Sequence, residues 1–586
     1  MSSPSLAESA AVPAFRGRRL FNGWTAFTFV MAALIALPVV VVLSYVFVPS
    51  GGIWQHLAST VLPGYITTSL WLMVGVGLGA SVIGVGTAWL VTLCEFPGRR
   101  LFEWALLLPM AIPAYVIAYT YTGLLDFAGP VQSLLREITG WSHGDYWYPD
   151  VRSLPGAIVM LTLVLYPYVY LLARAAFLEQ SVCVLEVSRT LGCGPWRCFS
   201  AVALPLARPA IAAGITLVLM ETLNDFGTVQ YFGVNSFTAG IYRTWMGMGE
   251  PAAAAQLAAV LTLFIGCLVL LERLTRGRGK VHHTTSKYRQ LPRYRLNGGH
   301  ALLALLANGL PVLIGFVIPA AVLAVWAWQT GPRIIDARFY AEARNSFILA
   351  SLAAVFAVAI AMIMAYGLRL RRSRATTYAT RIAAMGYGVP GAVIAVGVLI
   401  PLSQLDGWIN DFTVAQWDVR VGLILSGSIV AVLFAYMVRF LAVSFNAIEA
   451  SLAKVTIHMD DAARTLGHRP LGTLLRVHLP ITKGSLLTAA ILVFVDVMKE
   501  LPATLLLRPF NFDTLAIRAY QLASDERLAD AAAPSLAIVL VGIVPVIMLS
   551  VAIAKSRPGS EATQQERIAE AVMDKTAPGG VNLERA

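Results

Sequence analysis

Charge is scarce in this sequence. Asp, Glu, Lys and Arg make up 13% of its 586 residues, where a soluble domain carries about a quarter. That scarcity excludes an ordinary water-soluble enzyme, and a mean hydropathy of +0.71 agrees. Cysteine is rarer still: Cys94, Cys183, Cys193, Cys198 and Cys267 are the full set. Cys267 falls in an apolar run, Cys94 directly follows one, and the other three share one polar segment, so no disulfide framework is expected. The step from Cys193 to Cys198 is too long for zinc, whose paired ligands stand about two to four residues apart.

Two motifs are also missing. There is no G-x-x-x-x-G-K-[ST] phosphate loop, because Arg276-Gly277-Arg278-Gly279-Lys280 lacks the first Gly and the Ser/Thr. No H-E-x-x-H or similar histidine constellation occurs: His282, His283 and His300 lie in a basic stretch, and His458, His468 and His478 lie in or beside one polar loop. Neither an ATPase site nor a hydrolytic enzyme is expected in this chain.

What the sequence has is apolar residues, 58% of the total, gathered into twelve runs. They cover 24–48, 67–93, 101–125, 154–178, 206–224, 253–272, 304–326, 345–368, 379–403, 421–443, 481–507 and 535–554. About twenty apolar residues make a helix long enough to cross the hydrocarbon core. Lipid offers no partner to an unpaired backbone group, so these runs must be helical. The expected fold is an all-α polytopic membrane protein of about 12 helices. Arg16, Arg18 and Arg19 precede the first run, and eight Lys and Arg residues crowd 273–295. By the positive-inside rule both termini are cytoplasmic, and 126–153 and 225–252 lie outside. The basic stretch then lies directly between two membrane helices, so nucleic acid is not an expected partner.

The chain also resembles itself. Arg189-Thr190-Leu191-Gly192 recurs 275 residues later as Arg464-Thr465-Leu466-Gly467, as does Leu204-Pro205 at Leu479-Pro480. Pro113 to Ala118 matches Pro390 to Ala395 at an offset of 277. The reading is a tandem 6+6 repeat whose halves enter from the same side, related by a two-fold axis along the membrane normal. The expected divisions are a cytoplasmic tail 1–23, a first domain 63–275, a basic linker 276–303, a second domain 341–554 and a disordered tail 557–586.

Each half has a polar loop between its fourth and fifth runs. The first carries Glu186-Val187-Ser188, then Gly192, then Val202-Ala203-Leu204-Pro205. The second carries Asp461-Ala462-Ala463, then Gly467, then Val477-His478-Leu479-Pro480. The spacing predicts a short helix, a Gly bend, a second short helix and a Pro in the first turn of the next membrane helix. Such an elbow can transmit a push. These segments resemble the EAA loop of ABC-importer permeases: E-A-A, G, then I-x-L-P. That resemblance implies a type I importer permease with two fused transmembrane domains. It implies two copies of an ABC ATPase subunit docked on the elbows, ATP and Mg bound by that partner alone, and a periplasmic substrate-binding protein. The chain would sit as a multi-pass protein in a bacterial inner membrane.

Acidic residues inside apolar runs are costly and mark function. Glu221 and Asp225 share one helix face, and Asp496 and Glu500 repeat their spacing 275 residues on. Each pair begins sixteen residues past its Leu-Pro, a rise of about 24 Å. All four acids therefore belong near the outer edge of the membrane, as a negative path for a cation. Helix-end ion pairing with Lys499 or Arg243 is the plainer alternative. No metal ligand set is assigned. Leu185 to Gly192, Met220 to Gly227 and Gln521 to Leu528 resemble the ferric-iron family of ABC importers, which implies Fe(III) as cargo. Related fused permeases carrying thiamine or 2-aminoethylphosphonate, and an ion-coupled secondary transporter, are the alternatives.

Overall fold

A computed structural model describes residues 23–49, 51–142, 145–179, 190, 194–275 and 293–555. The N-terminal tail, most of the linker and the C-terminal tail lie outside the described residues. The main helices among the described residues are α1 Gly23–Ser44, α2 Leu62–Leu93, α3 Ala114–Leu125, α4 Leu154–Glu179, α5 Leu204–Asn224, α6 Pro251–Thr275, α7 Ile318–Ile334 (which continues Gly299–Val312 through a π turn), α8 Ala337–Leu370, α9 Gly391–Trp417, α10 Ile429–Leu452, α11 Leu479–Met498 and α12 Ala532–Lys555. Among the described residues, ten helical segments are long and apolar enough to cross a membrane. The run 101–125 is instead a pair bent by 89°, Arg99–Ala111 and Ala114–Thr139, and the apolar part of α12, Ala532–Met548, is shorter than the rest.

The breaks have local causes. Pro113 and Pro390 take extended backbone (ψ 143° and 141°) immediately before α3 and α9. Each follows a short 3-10 turn, Leu108–Ala111 or Gly386–Gly388. Proline fixes φ near its helical value yet cannot continue a helix from behind, so it restarts one. For this reason the run 379–403 divides into a surface helix, Arg374–Ala383, and α9. The run 481–507 likewise breaks after Met498, and Pro502–Leu507 forms a separate short helix.

Three helices pack together in each half: α2, α4 and α5 in the first, α8, α10 and α11 in the second. The outer helices cross over. α1 leaves its own half to pack on α8, α9 and Arg374–Ala383, and α6 also packs on α9. α7 and α12 pack on each other, and α12 reaches across to the Leu108–Ala111 turn. Tyr121 donates to the Ile314 carbonyl at 2.6 Å, and the hydroxyls of Tyr119 and Ser535 meet across the same seam. Helices in lipid gain no hydrophobic drive to associate, so close backbone contact over small residues supplies the attraction. Gly397 of α9 shows the demand: a Cβ there would lie 2.3 Å from the Pro38 carbonyl oxygen of α1.

The segment 225–252, expected outside, carries structure of its own. It is not a free outer loop, because Gly227–Tyr231 and Phe237–Tyr242 are helices set into the core, with Val229, Phe237 and Ile241 buried.

Gly397→Leu should push α1 off α9 and lower the thermal unfolding midpoint in detergent, since overpacking costs about 1–3 kcal/mol. Gly266→Leu on α6, where a Cβ would meet nothing within 4 Å, is the control and should leave the midpoint unchanged.

Candidate functional site

α5 and α11 end at one cavity of about 130 Å³. Glu221, Asp225, Asp496 and Glu500, the four acids expected to face one path, all line it, together with Tyr115, Tyr168, Tyr387, Arg439 and Lys499. Residues from both halves contribute. The four acids differ in how far they are committed. Asp225 accepts from the Val229 amide at 3.1 Å and the Thr228 hydroxyl at 3.0 Å, so it caps the helix Gly227–Tyr231. Glu500 accepts from the Ala503 amide at 3.0 Å, capping Pro502–Leu507 in the same way. Carboxylates are well placed at helix N-termini, where unpaired amides and the helix dipole favour negative charge.

Glu500 also pairs with Arg439, Oε2 to Nη1 at 3.0 Å, both side chains more than nine-tenths buried. Gly391 makes room for the pair: a Cβ there would stand 2.6 Å from Nη1 and 2.7 Å from Glu500 Oε1. Asp496 pairs with Lys499 at 3.2 Å. Glu221 makes only a long contact, 3.4 Å from Asn224 Nδ2. The Asn224 Oδ1 in turn accepts from the Gly391 amide at 2.9 Å, so a first-half side chain caps α9 of the second half.

Helix-end ion pairing therefore holds for Lys499 but not for Arg243, which reaches Asn235 at 3.2 Å. Among the described residues, no three His, Cys, Asp or Glu side chains stand close enough to hold a metal ion together. The acids form a charged lining rather than a ready-made metal cage. Sequence reasoning missed Arg439, although it is the single charged residue in the run 421–443. Tyr115, Tyr168 and Tyr387 gave no signal, since aromatic residues in apolar runs are usually core.

The elbows lie at the other ends of α5 and α11. Glu186 and Gly192 fall outside the described residues. Leu204 and Pro205 open α5 after a π-helical turn, Phe199–Ala203. Leu479 and Pro480 open α11 after a matching turn, Leu474–His478. In the second half the elbow is complete. Ile457–Thr465 carries Asp461, which is exposed beside Arg464. The helix ends at Gly467, φ 82°. The Gly467 amide bonds the Arg464 carbonyl, and the His468 amide bonds that of Ala463. That pattern closes a helix with a left-handed glycine. Pro470–Thr473 then leads back to α11.

Asp460 locks this elbow to the membrane helices. It accepts from Arg369 of α8 at 2.9 Å and contacts His478 Nε2 at 2.6 Å. Arg369 also donates to the carbonyls of Leu452 and Val455, and Tyr366 donates to that of Pro470. Outward the elbow presents Ile457, Met459, Leu466 and Leu471, all exposed.

Comparison with known proteins agrees with this layout. A family model described as "Binding-protein-dependent transport system inner membrane component" matches residues 80–274. The Fe(3+)-transport system permease protein FbpB 2 of Haemophilus influenzae is 26% identical over 83% of this chain and 89% of its own length. Residues 80–274 thus match a transport permease domain, and most of the chain is similar to ABC permeases. The molybdenum transport permease ModB of Escherichia coli is 28% identical over 33% of this permease and 84% of its own length. The sulfate transport permease CysW of the same organism is 27% identical over 37% and 77%. These similarities favour the permease reading over the ion-coupled carrier, and the apolar helices suit a multi-pass membrane protein.

The constraint at Gly467 is its positive φ, not crowding, because a Cβ there would meet nothing within 4 Å. Gly467→Val should strain the bend by about 1–2 kcal/mol and uncouple transport from ATP hydrolysis while the chain still inserts. Asp460→Ala should do the same by freeing the elbow from α8. Uptake and ATPase rates measured together on the assembled transporter check both; uptake and ATPase rates both equal to those of the unmodified chain would show the elbow's shape to be immaterial.

Proposed function

We propose that this permease carries ferric iron across a bacterial inner membrane, received from a periplasmic binding protein and driven by two copies of an ABC ATPase subunit. The observation that carries the reading is the cavity at the ends of α5 and α11 that takes all four intramembrane acids. A trivalent ion leaving its carrier protein needs negative charge around it, since an unpaired ion at low dielectric is strongly disfavoured. Oxygen donors suit so hard a cation. The ferric-transport relative, matched over most of both chains, supports the same cargo.

The matched lengths support a fused pair of permease units, because ModB aligns over most of itself yet only a third of this chain. The exposed apolar residues of the second elbow suit a protein partner. ATP and Mg would be held by that partner and not by this chain. Thiamine as cargo finds no specific support in the cavity. A 2-aminoethylphosphonate cargo draws some from Arg439, which could face the phosphonate while the acids face the amine.

Two experiments test the proposal. Glu221→Gln with Asp496→Asn removes charge but keeps oxygen donors and volume. Iron uptake, with the binding protein saturating, should fall further in the double variant than in either single one. Normal uptake by the double variant would leave the acids as structural partners only. For orientation, cysteines at exposed Ser142 and Arg420 should react with an impermeant thiol reagent added from outside, and one at Leu466 should not. The reverse pattern would invert the topology.

A further inference from the structure

The acids of the cavity repeat between the halves, but its donors do not. At the offset of 275 that relates Glu221 to Asp496 and Asp225 to Glu500, Arg439 corresponds to Val164. Both Arg439 and Val164 line the cavity. At the offset of 277, Tyr115 corresponds to Ala392. The guanidinium of Arg439 and the phenol of Tyr115 thus have no counterpart at the matching positions of the other half.

These donors are not used up within the protein. Arg439 and Tyr115 are each 6% exposed. The Arg439 Nε and Nη1 and the Tyr115 hydroxyl have no hydrogen-bond partner, although Nη1 lies against the Glu500 carboxylate. Buried polar groups are almost always satisfied, so several orphan donors in one cavity point to an acceptor brought in from outside. A guanidinium edge beside a hydroxyl suits an oxyanion, whose oxygens take several donors at once.

The charges agree. Four carboxylates against Arg439 and Lys499 leave the lining at a formal charge of −2. A bare trivalent ion exceeds that charge. An accompanying oxyanion offsets the excess.

We propose that Arg439 and Tyr115 hold an oxyanion that crosses together with the ferric ion, the metal facing Glu221 and Asp496. The inference rests on the ferric reading of the cargo. The oxyanion is identified by its class, with inorganic phosphate and a carboxylate such as citrate as its two sources.

The test uses the full chain in lipid nanodiscs, incubated with radiolabelled iron(III) and with either labelled phosphate or labelled citrate. Tyr115→Phe removes only the hydroxyl. Arg439→Lys keeps the charge against Glu500 but removes Nε. Each should weaken retention of the oxyanion by about ten-fold, while Glu221→Gln with Asp496→Asn should weaken retention of iron. Whichever anion responds to Tyr115→Phe names the source. Equal oxyanion retention by the unmodified chain and both donor variants, with iron still held, would overturn the inference and leave the ferric reading intact. An unmodified chain that holds the oxyanion but no iron, and loses it on Tyr115→Phe, would overturn the ferric reading and with it the joint crossing.

Discussion

Arg439 and Glu500 stand 3.0 Å apart inside the protein, and much of the surrounding structure follows from keeping them there. Removing one member of a buried pair leaves a charge without compensation, a loss of about 3–5 kcal/mol. The pair needs space, and Gly391 provides it at the start of α9. The start of α9 needs an acceptor for its amide, and Asn224 from the other half provides it. Glu500 needs a second donor, and the short helix Pro502–Leu507 begins where its amide can serve. The breaks after α5 and α11 are thus where the chain turns aside to satisfy its charges.

Much of this was legible in the sequence because lipid imposes simple rules. Apolar length gave the helices, and the repeated acids gave the lining of the cavity. The departures came where a single residue overrules the average. Pro390 divided one apolar run, and the bend at Pro113 turned another through 89°. Arg439 passed unnoticed because a guanidinium in a helix carries no spacing motif; its importance comes from what stands opposite it in space. The segment 225–252 was legible only as a connection between two apolar runs. It folds inward because Asp225 and Ser236 cap short helices that hold Val229 and Phe237 in the core.

The two halves differ most where they approach the elbows. In the second half Arg369 and Asp460 form an ion pair that His478 joins through its Nε2. At the sequence offsets that relate the halves, those positions are Thr92, Leu185 and Ala203. Trp89 stands in place of Tyr366 and packs on Phe199 at 4.9 Å, where Tyr366 meets the His478 ring at 5.2 Å. Among the described residues, the Arg369–Asp460 ion pair fastens one elbow root and the packing of Trp89 on Phe199 contributes to the other. On the periplasmic side implied by the proposed topology, Arg152 and Glu526 form a two-pronged bridge between the halves, both contacts at 2.7 Å. The Arg152 hydrogen bond holds the Glu526 carboxyl below its usual value. A group with a depressed value stabilises the fold above its unfolded value, and that contribution fades as the pH drops through the folded one.

The crossing of α1 onto α8 and α9 sets an order of assembly. α1 is made first, yet its partner α9 begins about 350 residues later. At a synthesis rate of about 5–20 residues per second, α1 waits for tens of seconds before α8 and α9 arrive, with α6 as its earlier contact. It is built to wait: Gly23–Ser44 holds no charged residue, and its hydroxyls at Ser44 and Thr28 bond to its own turns. Such a segment rests in lipid alone. α9, with Asp406 and Asp411 near its far end, arrives to find its neighbour already in the bilayer, and neither half completes its packing until the whole chain has left the ribosome.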